Sequence, residues 1–137
     1  MSRVLAIDYG DARVGIAVSD QSRFLASGYG YIKFTGYNDL VEKLLAIGEK
    51  EEIKEFVIGL PLNMDGSRGA MAKKTEKLAG MLESKTEYPV NLVDETLSSW
   101  EAAKQIHASG KKARKGKIDE VAAAIILQAF LDGNKNQ

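Results

Sequence analysis

The stretch VLAIDYGDARVGIAVSD, residues 4–20, constrains the fold more than any other part of the chain. VLAID and VGIAVS are short, β-branched and alternating, and the turn between them contains Gly10, so they predict two strands. A third extended segment follows in FLASGYGYIKF, residues 24–34, where Gly28 and Gly30 predict a bulge. Together the three runs predict an antiparallel meander with short connections. One residue does not suit the pattern. Asp8 ends the first strand among apolar neighbours, where alternation implies at least partial burial.

After the meander the periodicity turns helical. YNDLVEKLLAIGEKEEI carries Leu40, Val41, Leu44, Leu45 and Ile47 at helical spacing, and EFVIGLP is a short buried strand stopped by Gly59 and Pro61. GAMAKKTEKLAGMLESK is again helical and YPVNLVDE is a further strand. SSWEAAKQIHASG opens with Ser98, has Glu101 three residues later as a capping box, and closes near Gly110. A last helix is predicted over residues 117–132, KIDEVAAAIILQAFLD. The helical crossover between the two later strands implies parallel pairing, with helices covering the sheet. The expected class is therefore α/β: a mixed five-stranded sheet, meander plus two parallel strands, flanked by helices. With 137 residues, no internal repeat and no long linker, one domain over residues 1–137 is expected.

Composition works by exclusion. At 45% hydrophobic and 28% charged, the chain has the balance of a soluble globular protein, neither disordered nor membrane-embedded. No apolar run approaches a membrane span, and MSRVLAIDYG lacks a secretory pattern. Cysteine is absent, which excludes disulfides and thiolate metal sites, so a cytoplasmic location is expected. A net charge of +0 argues against general nucleic-acid affinity and leaves local charge to decide.

Three acids far apart in sequence give Asp8 a context. In the last helix, Asp119 shares a stripe with Ala122, Ala123, Ile126 and Phe130, whereas Glu120 shares one with Ala124, Gln128 and Asp132. Asp119 is therefore expected to face the sheet at the positive end of the helix dipole, and Glu120 to face outward. Glu95 follows the strand VNLV, at the end of parallel strands where ligands gather, but spacing alone does not decide whether it or Asp94 points inward. Taken singly, Asp119 reads more readily as a cap or a charge on a first turn, and Glu95 equally well as a loop acid. Together, three converging carboxylates would repel one another unless a cation lay between them, and all-oxygen ligation favours magnesium or manganese.

AIDYGDARVGIAVSD, VIGLPLNMDGSRG, VDETLSS and KIDEVAAAIILQAFL resemble, in order and spacing, the four motif blocks of the YqgF (RuvX) family. The resemblance covers nearly the whole chain. It implies a ribonuclease H-like fold and a nuclease activity, either maturing the 5′ end of pre-16S ribosomal RNA or resolving Holliday junctions in DNA recombination and repair. It also places the catalytic and metal-binding acids on Asp8, Glu95 and Asp119. The chemistry implied is phosphodiester hydrolysis with two magnesium or manganese ions, Asp8 bridging both and Glu95 and Asp119 each holding one side. The chain departs from the family at Thr96, where the family block carries arginine, so no phosphate contact is assigned there.

KKARKGK, residues 111–117, places Lys111, Lys112, Arg114, Lys115 and Lys117 in a loop just before Asp119, where they would meet backbone phosphates. Arg13, Arg68, Lys73 and Lys74 would extend that surface. GLPLNMDGS lacks the spacing of a phosphate-binding P-loop; a turn at Asp65-Gly66 with Ser67 as helix cap explains it. His107 is expected at a surface or boundary and Trp100 in the core. The implied partner is nucleic acid, precursor ribosomal RNA or branched DNA, with the protein a monomer or homodimer and no membrane involved. Two alternatives remain: a non-catalytic nucleic-acid-binding module, for which three retained acids have no use, and an ATPase lobe of the actin and Hsp70 type, which needs a second lobe this chain lacks.

Overall fold

The computed structural model describes residues 2–96 and 115–135. The elements are β1 (Arg3–Tyr9), β2 (Arg13–Ser19), β3 (Ala26–Lys33), α1 (Tyr37–Lys50), β4 (Ile53–Leu62), α2 (Ala70–Lys85), β5 (Val90–Thr96) and α3 (Lys115–Lys135). They build one sheet in the order β3-β2-β1-β4-β5. The meander pairs antiparallel, and β1 pairs with β4, and β4 with β5, in parallel, as the alternation and the crossover predict. The bulge expected in the third strand is present: the β2 partner passes from Gly30 to Gly28, skipping Tyr29.

Period-two alternation sorts the strand residues onto two faces. Leu5, Ile7, Val14, Ile16, Val18, Phe56 and Ile58 pack beneath α1 and α2, against Leu40, Val41, Leu44, Leu78 and Leu82. Val4, Ala6, Ala17 and Val57 pack against Ala123, Ile126, Leu127 and Leu131 of α3. The α3 side is built of small residues, so a helix can come close to the strands. Each fully buried branched side chain there, such as Leu127, contributes about 1.5–3 kcal/mol. No helix among the described residues is long and apolar enough to cross a membrane.

Four details differ from the sequence-based expectations. Strand β4 is not stopped by Gly59 and Pro61 but runs through both to Leu62, because its pairing with β5 continues past them. Helix α3 begins at Lys115, two residues earlier than predicted, so Lys115 and Lys117 have helical backbone instead of loop and Asp119 lies in the second turn. Ser67 is not a helix cap, because α2 starts at Ala70 with Gly69 in the cap position. Instead, its backbone N–H and hydroxyl both donate to Asp65 Oδ1, at 2.9 and 2.6 Å, and close the turn. Glu120 does not face outward: a Cβ placed on Gly28 would lie 2.6 Å from its Oε2. The polar stripe of α3 covers β3, where Gln128 accepts from the Ala26 N–H at 2.9 Å and donates to the Phe24 carbonyl at 3.0 Å. The capping box at Ser98 and Glu101, Trp100, His107, Lys111, Lys112 and Arg114 lie outside the described residues.

Candidate active site

Asp8 is the acid that the sheet buries, at 5% exposure near the end of the central strand β1. Alternation puts it on the α3 face together with Val4 and Ala6. Its antiparallel partner on β2 is Gly15. The absence of a side chain at Gly15 admits α3: a Cβ there would lie 2.0 Å from the carbonyl oxygen of Asp119 and 3.0 Å from its Cβ. Two acids from opposite ends of the chain are thereby brought to neighbouring positions across one strand. Gly59 does the same on the other side of β1, where its missing Cβ makes room for Ile126, whose Cδ1 would be 2.5 Å away.

Glu95 lies on β5 opposite Pro61 of β4, on the same face as Val93, which packs beneath α3. Asp94 points away and is exposed, which decides between the two acids. Asp8 and Glu95 line one narrow cleft with Tyr9, Gly59, Pro61 and Ile126. The cleft lies at the carboxyl ends of the parallel strands β1, β4 and β5, the place where ligands gather in open α/β sheets. Burial raises the Glu95 carboxyl above its ordinary pKa, since the cleft disfavours the charged form. Burial, reinforced by a hydrogen bond with Tyr37, likewise pushes the Tyr9 phenol up; its ring lies on the opposite face of the sheet from Asp8, stacked on Tyr37 of α1.

Asp119 is close by but turned to a different partner. Arg13 Nε donates to Asp119 Oδ2 at 2.8 Å, with the two side chains 28% and 13% exposed. The helix dipole expected to hold this carboxylate falls off within the first turn, and Asp119 lies beyond it, so the guanidinium supplies the positive charge instead. Asp8 and Glu95 are thus brought into one cleft, and Asp119 is brought beside it. Among the described residues, no three acidic or imidazole side chains stand close enough together to chelate a single ion.

Of the expected phosphate-binding cations, Arg68 donates to Glu76 Oε2 at 2.7 Å and Lys74 to Asp11 Oδ1 at 2.8 Å. Both pairs are exposed and cheap to open. Lys73 is exposed on α2. Sequence reasoning missed Gly15 and Gly59, whose role is to admit α3. Their signal was present, because a glycine inside a strand pattern marks a close approach of backbone or ligand.

Comparison with known proteins agrees with this geometry. A protein of Halothermothrix orenii named "Putative pre-16S rRNA nuclease" is 39% identical, the match covering 95% of this chain and 94% of that one. One of Dictyoglomus thermophilum with the same name is 37% identical over 96% of each chain. Among solved structures, RuvC of T. thermophilus in complex with a Holliday junction substrate aligns with a TM-score of 0.63 at 15% identity, over 98% of this chain and 96% of that one. That likeness establishes a shared fold. The family model RuvX, described as Holliday junction resolvase, matches residues 2–133. With a family model spanning almost the whole chain and full-length relatives above a third identical, this protein belongs to the RuvX family.

Proposed function

We propose that residues 1–137 act as one catalytic domain, a metal-dependent nuclease that hydrolyses phosphodiester bonds in the cytoplasm. The substrate favoured is the 5′ end of precursor 16S ribosomal RNA, following the names of the full-length relatives. The observation that carries the proposal is the buried Asp8 sharing a cleft with Glu95 at the carboxyl end of the parallel strands. A divalent cation bound in the cleft would offset the burial of both carboxylates.

The donor set suits magnesium or manganese. Both are hard cations taking oxygen ligands, and magnesium commonly uses only one or two carboxylates, with water and substrate phosphates completing its shell. Asp8 and Glu95 would hold such an ion, and Asp8, on the central strand between Asp119 and Glu95, would also serve a second one. When bound, the metal supplies activation of water and stabilisation of the leaving 3′ oxygen. The remaining tasks fall to the chain. Rigid strands fix the carboxylates, Ile126 walls the cleft, and Arg13, Arg68, Lys73, Lys74 and the basic segment containing Lys111, Lys112, Arg114, Lys115 and Lys117 draw in the phosphate backbone.

Resolution of Holliday junctions is the second reading, favoured by the description of the matching family model. Paired symmetrical cuts would call for a homodimer, whereas trimming of RNA does not require one. The test is cleavage of a precursor 16S leader and a four-way DNA junction in parallel with magnesium. Wild type is expected to cut the RNA, and Asp8→Asn to lose activity about a hundredfold or more, equivalent to about 3 kcal/mol of transition-state stabilisation, while melting no lower than wild type. Cleavage retained in Asp8→Asn would overturn the assignment. Junction cleavage without RNA cleavage would favour the second reading.

A further inference from the structure

Arg13 opens strand β2, and alternation puts its side chain on the α3 face along with Gly15. Its Nε donates to Asp119 Oδ2 at 2.8 Å, a contact across 106 residues of sequence. The pair is partly shielded, at 28% and 13% exposure, so it is screened less than a surface bridge. The contact uses only Nε; among the described residues the two terminal nitrogens of the guanidinium have no partner at hydrogen-bond distance. The cleft lined by Asp8 and Glu95 does not include Asp119, although Asp119 sits over Gly15, the direct strand partner of Asp8.

These observations fit together if the guanidinium and a metal ion compete for one carboxylate. We propose that Arg13 is a positioning residue that sequesters Asp119 from the metal cleft until nucleic acid arrives. A backbone phosphate reaching the terminal nitrogens of Arg13 draws the guanidinium off Oδ2, and the released Asp119 turns to join Asp8 and Glu95. The ion pair makes full assembly of the acid set depend on substrate, which keeps the free protein weakly loaded. The charge on Arg13 also opposes any nearby cation directly, so both effects act in the same direction. This deepens the proposed function and rests on it.

The test is calorimetric titration of the nucleic-acid-free full chain with manganese, comparing wild type, Arg13→Gln, Asp119→Asn, the double variant and Asp8→Asn. Arg13→Gln is expected to tighten manganese binding about threefold or more. In the Asp119→Asn background the same change is expected to gain less than about half of that factor, because the competing partner is gone. Arg13→Lys, which keeps the charge, is expected within about twofold of wild type. Arg13→Met retains the apolar stem and reads the same quantity should Arg13→Gln unfold the domain. Unchanged or weaker binding in the uncharged variants would overturn the competition while leaving the metal site standing, provided Asp8→Asn abolishes binding. Manganese binding undiminished in Asp8→Asn would overturn the metal site itself.

Discussion

Replacing Gly15 by alanine adds one methyl group at the point where α3 meets the sheet. The new Cβ would lie 2.0 Å from the carbonyl oxygen and 2.3 Å from the carbonyl carbon of Asp119. Favourable non-bonded contact begins near about 3.5 Å, so the helix must retreat by about 1.5 Å. The obstacle is helix backbone, which has no rotamer to escape into. Overpacking costs about 1–3 kcal/mol in general, and the upper end, about 3 kcal/mol, is expected here because Ala123, Ile126 and Leu127 are lifted off the sheet with Asp119. For a chain of this size the loss corresponds to a fall in Tm of roughly 10 °C. The same displacement moves Asp119 relative to Asp8, and a misplacement of about 1 Å can cost about a hundredfold in rate. Gly59→Ala is the comparator: its Cβ would meet Ile126 Cδ1 at 2.5 Å, a side-chain tip that can rotate away. Its cost is expected to be only about 1 kcal/mol. Chemical denaturation and cleavage assays on both variants provide the measurement. A Gly15→Ala protein within about 0.5 kcal/mol of wild type, or no more costly than Gly59→Ala, would refute the seating of α3 on Gly15.

Two further outcomes are expected. Gly80 lies inside α2, and a methyl group added there would meet nothing within 4 Å, so Gly80→Ala should raise stability by about 0.5–1 kcal/mol in chemical denaturation. Glu95 has a raised pKa, so the folded state holds its proton more tightly than the unfolded chain. The associated stability is complete below the ordinary glutamate pKa and lost as pH rises through the raised value. In chelator, Glu95→Gln is therefore expected to melt above wild type at neutral pH and level with it in acid. A wild-type advantage at neutral pH would contradict the desolvation assigned to the cleft.

Much of this molecule is written in local pattern. Alternation in VLAID and VGIAVS determines the first two strands and, with Asp8 following Val4 and Ala6 in phase, the face on which the acid must sit. Helical spacing from Ala122 through Ile126 determines which side of α3 is buried, and Asp119 belongs to that side. Such patterns are properties of a few consecutive residues, because backbone geometry alone relates neighbours two or three to four positions apart. The tertiary structure decided the rest. Whether Asp94 or Glu95 enters the cleft depends on the phase of β5 against β4, which is fixed by pairing between segments and not by either one. The polar stripe of Glu120 and Gln128 looked solvent-facing until β3 was placed beneath it. The approach of α3 to Gly15, and the capture of Asp119 by an arginine 106 residues away, are distances between elements. No local periodicity encodes them, since they are set by how small side chains on two surfaces allow those surfaces to close.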